Sequence, residues 1–197
     1  MRTRPTRRFR CSRRRPRSER GNALVEAAIV TPLIMMLVLG LVEFAMLAKD
    51  NMTISNGSRA GARVGSAAGT DPLADYNILK AVQGATGGMA SIEQVIVYKA
   101  TSPTGAVPSA CLSGPVGGTC NVYDGSDLAI SQATFQSGGY AKDDSWAAAT
   151  RVTSQSAPGG PDYLGVYVKG THNSVTHLIL NSRAVKDDVI MRLEPTL

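Results

Sequence analysis

Histidine, cysteine and aromatic residues are scarce in this chain of 197 residues: two His, three Cys, one Trp, and aromatics at 5%. So few ligating side chains exclude a multi-site metalloprotein. So few rings, together with 20 Gly, argue against a dense aromatic core or a solenoid. Acidic residues are almost missing from one region. Up to Arg20 only Glu19 is acidic, against ten arginines: Arg2, Arg4, Arg7, Arg8, Arg10, Arg13, Arg14, Arg15, Arg17 and Arg20. That block carries +9, while the other 177 residues hold 11 bases and 14 acids, hence −3. The overall charge of +6 therefore belongs to a tail, and a basic nucleic-acid-binding domain is a poor reading. Catalytic signatures are missing too: Gly-x-Ser-x-Gly, a Walker loop and His-Glu-x-x-His do not occur, so enzyme function has no positive support and no cofactor is expected.

The arginine block, broken by Pro5 and Pro16, is too charged to collapse. After Gly21 the composition reverses to NALVEAAIVTPLIMMLVLGLVEFAML, from Asn22 to Leu47, with sixteen uncharged residues from Ala27 to Val42. A helix crossing ~30 Å of hydrocarbon needs about 20 apolar residues. The stretch from Ala23 to Leu47 has that length, provided Glu26 and Glu43 lie near the two interfaces. The arginines then keep the N-terminus in the cytoplasm and place everything after Lys49 outside it. Three other readings fit less well. A signal peptide has an apolar core of about 7–15 residues and an Ala-x-Ala end, whereas this run is longer and ends in EFAMLAKD. A twin-arginine signal at Arg7 and Arg8 is one pair among several. A nucleic-acid-binding arm leaves the apolar helix unexplained.

Glu26 does not fit a plain anchor. A carboxylate one turn inside an apolar span costs about 2.5–3.5 kcal/mol on insertion scales. Either it stays shallow and hydrated at the headgroups, or it meets a partner cation. Pro32 removes one backbone hydrogen bond from the same helix. Beyond the span, Ser55, Gly57, Ser58, Ala60, Gly61, Ala62 and Gly65 form a small-residue helix able to approach another backbone closely. On it Arg59 and Arg63, one turn apart, read as a solvated stripe.

Arg20-Gly-Asn-Ala-Leu-Val-Glu26, followed by an apolar helix with Pro32, resembles the class III leader of type IV pilins. RGNALVEAAIVTPLIMMLVLGLVEF with NGSRAGARVG further on is similar to the TadE-like pseudopilins of tight-adherence pili. The resemblance covers roughly Arg20 to Arg63. One position departs from the pattern: Ala27 stands where the family often has an aromatic residue. The resemblance implies cleavage by a prepilin peptidase between Gly21 and Asn22, which makes Glu26 the fifth residue of the mature chain. Cleavage removes all ten N-terminal arginines and exposes an ammonium at Asn22. That cation can answer the Glu26 carboxylate of a neighbouring subunit and set the stagger between helices.

In the remainder, Asp71-Pro72 predicts a helix start with Asp71 as N-cap and Pro72 at the first helical position. Leu73, Tyr76, Leu79, Ala81 and Val82 continue it to Gly84 or Gly87-Gly88. SIEQVIVYKA, from Ser91 to Ala100, predicts a strand. Residues 101–161 are rich in Gly and Pro, with short elements expected around Leu128–Phe135 and Ser145–Thr153. Cys111 and Cys120 frame CLSGPVGGTC and would oxidise to a disulfide outside the cytoplasm. A redox-active pair is disfavoured because the Cys-x-x-Cys spacing is missing. Asp162–His172 alternates Leu164, Val166 and Val168 on one face, Asn173–Asn181 reads as a short helix, and the stretch from Ser182 reads as a last strand. His172 and His177 flank that helix without a third metal ligand. Asp124-Gly-Ser-Asp127 lacks the other oxygens of a calcium loop.

The expected fold class is α+β: a long N-terminal transmembrane helix, then a small extracytoplasmic domain whose antiparallel sheet of three or more strands packs on helices. The expected organisation is a basic cytoplasmic leader at 1–21, a transmembrane and assembly helix at 22–65, and a head at 66–197 with a Gly/Pro-rich insertion at 101–161. The resemblance implies a non-enzymatic minor pilin or pseudopilin at the cell membrane, single-pass, with membrane, prepilin peptidase, other pilins and the pilus assembly platform as partners in a multimer. Two other readings stay open: an uncleaved single-span protein whose head binds a surface ligand, and an exported hydrolase with an unrecognised site.

Overall fold

A computed structural model describes residues 19–87, 89, 91–113, 119–140, 144–174 and 182–195. The chain divides into two compact units, Met1–Leu41 and Val42–Leu197. Helix α1, Glu19–Ala68, belongs partly to each.

In the first unit, the described residues are the N-terminal part of α1. Uncharged Leu, Met and Ala favour helix here, and a helix satisfies every backbone polar group internally, as a hydrocarbon environment requires. The side chains from Gly21 to Val38 are all exposed, including Leu24, Ile29, Leu33 and Leu37 at 62–72%. A helix this long and apolar with none of its span buried is long enough to cross a membrane.

The second unit is built on a four-stranded antiparallel sheet in the order β2-β1-β3-β4: β1 Ile92–Ala100, β2 Cys120–Asp124, β3 Tyr163–His172 and β4 Arg183–Arg192. Register pairs Tyr98 with Cys120, Val97 with Val166, and Val166 with Val189. Alternation sends Val95, Val97, Leu164, Val166, Val168 and Val185 to one face, where they form the main core with Ile54 and Ala62 of α1 and with Ile78, Leu79 and Val82 of α2, Ala74–Thr86. Each such side chain contributes about 1.5–3 kcal/mol through removal from water. The opposite face carries Ile96, Tyr98, Val122 and Tyr167, covered by the segment that holds Cys111 and Cys120.

The small residues of α1 set how closely the helices and sheet approach. A Cβ on Gly61 would lie 2.8 Å from Val82 and 3.1 Å from Val166, and one on Gly65 would lie 2.7 Å from Ile78 and 2.9 Å from Leu164. The close approach expected of this segment is therefore made to α2 and β3 within the same chain.

Helix α2 departs from expectation at its start. It begins at Ala74 with Leu73 at the N-cap. Asp71 still caps: its Oδ1 accepts the Leu73 amide at 2.7 Å, and its carbonyl accepts the Ala74 amide at 2.9 Å. Pro72 thus sits in a turn leading into the helix. The other end stops at Gly87, whose φ of +56° is the left-handed conformation that glycine adopts without strain. Gly84 lies inside the helix.

The Gly/Pro-rich insertion holds more structure than its composition suggests. Short elements occur at the two expected places: a 3-10 turn at Gly125–Ala129, the helix Gln132–Gln136, and a 3-10 turn at Ala148–Thr150. It also supplies α3, Ser109–Ser113, and edge strand β2, neither of which was anticipated. The 124–127 stretch is a turn in which Asp127 Oδ2 accepts the Asp124 amide at 2.8 Å. The helix expected over 173–181 and His177 fall largely or wholly outside the described residues.

Candidate assembly site

Gly21, Asn22, Glu26 and Pro32 all lie in α1 on fully exposed turns. A side chain on Gly21 would meet nothing within 4 Å among the described residues. Asn22 and Glu26 are four apart and share one helix face, with Ile29, Val30, Leu33 and Leu37 continuing it. Glu26 is thus a single carboxylate on an apolar stripe, and it has no hydrogen-bond or ion-pair partner among the described residues. Pro32 leaves the carbonyl of Ala28 without its helical donor, yet α1 continues through it.

Glu43 behaves differently. Expected at the far membrane interface, it is 1% exposed and packs inside the second unit. Its Oε2 lies 3.9 Å from His172 Nε2, while His172 Nδ1 is 2.6 Å from Asp50 Oδ2. These groups tie the end of β3 to α1. The uninterrupted apolar stretch is consequently Ala23–Val42 apart from Glu26, about 30 Å of helix at 1.5 Å per residue, which equals the hydrocarbon thickness.

Residues 21–63 match the family model of TadE-like proteins. The match begins at the glycine of the expected cut and ends at Arg63, agreeing with the resemblance read from the sequence. No curated protein and no solved structure matches the chain. The TadE-like segment together with a helix able to cross a membrane fits a single-pass, pilin-like membrane protein. It holds every residue assigned to processing and assembly, so Glu26 and Pro32 stand in the part shared with TadE-like proteins and Cys111 and Cys120 in the part without a match.

Outside the TadE-like segment the head contains polar groups that motif reading did not single out. Asp75, in the first turn of α2, accepts from Tyr123 Oη at 2.9 Å, from Asn121 Nδ2, and from the Arg151 guanidinium. Asn121 also exchanges bonds with the Trp146 backbone, at 2.9 and 2.7 Å, and Arg151 lies over the Trp146 ring at 4.6 Å. Asp75, Asn121 and Arg151 are all buried. The network fastens β2 and the 144–153 segment to α2, a structural task. Burial, the Asp75 charge and the hydrogen bond to it push the Tyr123 phenol far above its ordinary range. Only the pattern of small and apolar neighbours around Asp75 could have flagged it, and that pattern is common to many helix starts.

Cys111 and Cys120 are joined as a disulfide, their Cα atoms 6.2 Å apart. Both are buried against Ile96, Tyr98 and Val122. That seals the sulfurs into the outer core, an arrangement suited to a structural bridge. Among the described residues no group of three or more His, Cys, Asp or Glu is arranged to hold a metal ion.

Proposed function

We propose that this chain is a minor pilin or pseudopilin of a tight-adherence pilus, cut by prepilin peptidase between Gly21 and Asn22 and assembled through its N-terminal helix. The observation that carries this reading is a bare apolar helix bearing one carboxylate, five residues after a glycine, inside the segment that matches TadE-like proteins. The amine freed at Asn22 stands one helical turn from Glu26. In a bundle of such helices, the amine of one subunit and the carboxylate of the next neutralise each other only at one axial offset, so the pair fixes register while the apolar faces pack. The arginine block acts before that step: its charge holds the precursor at the cytoplasmic face. In this reading the head is a folded, non-enzymatic module outside the cytoplasm.

Replacing Glu26 tests the assembly role. Glu26→Ala in the native cell is expected to leave the amount of membrane-inserted protein unchanged and to reduce its recovery in cross-linked multimers and sheared fibres. Equal recovery of variant and parent would contradict the register role.

A further inference from the structure

Arg59 and Arg63 are two exposed charges on one face of α1 that the assembly reading leaves unused. They lie one turn apart, about 6 Å along the helix, and neither makes a hydrogen bond or ion pair with a described residue. Between α1 and β4 they border a groove of about 620 Å³, lined also by Asn56, Ala60, Val64, Val189 and Met191. Register places Val189 and Met191 on the sheet face that α1 and α2 cover elsewhere. At β4, the edge strand, that face is only partly covered among the described residues. Among the described residues the groove is therefore an unfilled place in the helical layer, with an apolar floor and a rim of two guanidiniums.

We infer that this groove receives an amphipathic helix of a different protein, one that carries two carboxylates a turn apart beside an apolar stripe. The floor is the inner face of a sheet whose other strands are covered by helices, so a helix continues the layer. Guanidiniums four residues apart are matched by carboxylates at i and i+3 or i+4 on a helix lying along α1. Among the described residues, a second copy of this chain does not supply them. Among its described helical side chains Glu43 and Asp75 are buried, Asp50 is bonded to His172, and Glu26 is a lone carboxylate in the apolar span. The groove lies wholly in the 42–197 unit, so the inference stands whether or not the chain is cut at Gly21.

A photo-cross-linking benzoylphenylalanine at Asn56, in the full chain in its native cell, tests this. The expected adduct joins a different protein, and sequencing of the joined peptide places the link in a helix with two carboxylates three or four residues apart. Arg59→Glu with Arg63→Glu lowers the adduct about tenfold or more, and changing the mapped carboxylates to Lys restores it. Because the two arginines are exposed, the variant should keep the disulfide and the melting temperature of the parent, and the rescue separates lost charge pairing from lost folding. An adduct with a second copy, an adduct with lipid, no adduct, a joined peptide without the acid pair, or an adduct unmoved by charge reversal would each overturn the inference.

Discussion

Gly165 illustrates how tightly the outer face of the sheet is packed. A Cβ there would fall 2.2–2.6 Å from ring atoms of Tyr98, whose hydroxyl donates to Asp188 Oδ2 at 2.8 Å and so is held in place. Gly165→Ala should lower stability by about 1–3 kcal/mol, as overpacking of a core does. Gly84→Ala, in open space inside α2, should be neutral or stabilising by up to about 1 kcal/mol. Urea unfolding of the detergent-solubilised chain compares the two. Tyr98 and Tyr140 share a further property with Tyr123: each donates its hydroxyl to an aspartate. Burial, reinforced by those carboxylates, raises all three phenols, Tyr140 to about 12. A phenol raised on folding holds its proton more tightly in the folded state. Its stabilisation is therefore complete below the unfolded value near 10 and is lost as pH climbs toward the folded value. Melting temperature should fall from about pH 10 upward, and Tyr98→Phe should flatten that fall; a melting temperature unchanged between pH 8 and 11.5 would contradict it. The inward residues of β3 were legible from alternation, and β1 was legible as a strand from its β-branched residues. Gly165, Asp75 and Arg151 were not, because their roles depend on partners 46 to 76 residues away or on another strand.

At the level of elements, apolar spacing located α2 and β3, while β-branched density located β1, whose Val95–Tyr98 run is buried on both faces of the sheet; β4 was expected from Ser182 onward. The expected α2 start, Pro72, is two residues early, since Asp71 caps a turn before the helix rather than the helix itself. Strand β2 escaped notice for a physical reason. Its five residues, Cys-Asn-Val-Tyr-Asp, are all buried or half-buried, with Asn121 serving the Asp75 network, so no polar and apolar alternation marks them. The disulfide belongs to this scale as well. It joins α3 to the start of β2 across nine residues and closes the covering layer over Ile96 and Tyr98. Replacing Cys111 and Cys120 together by Ser should lower stability by about 2–3 kcal/mol through loop entropy and should raise proteolysis between 101 and 119. A variant as stable and as protease-resistant as the parent would show that the segment holds itself in place.

Across the whole molecule, two environments are written into one chain. The first unit exposes apolar side chains throughout its described helix, while the second buries a two-sided sheet. The step from one to the other falls at Val42, next to the buried Glu43, although Phe44 and Met52 beyond it are exposed. Composition made the helix and the charge reversal at Gly21 legible, and the motif from Gly21 to Glu26 pointed to TadE-like proteins; the depth of Glu43 was not legible, because it packs beside His172, 129 residues later in the chain. In the proposed function, processing links these parts. It would remove a charge of +9 and leave −3 on the remaining side chains, with one amine placed beside Glu26. Mass spectrometry of the N-terminal peptide, from protein recovered from native envelopes and fibres, measures that step directly: a chain starting at Asn22 is the expected result, and a chain that retains the arginines up to Arg20 would contradict it.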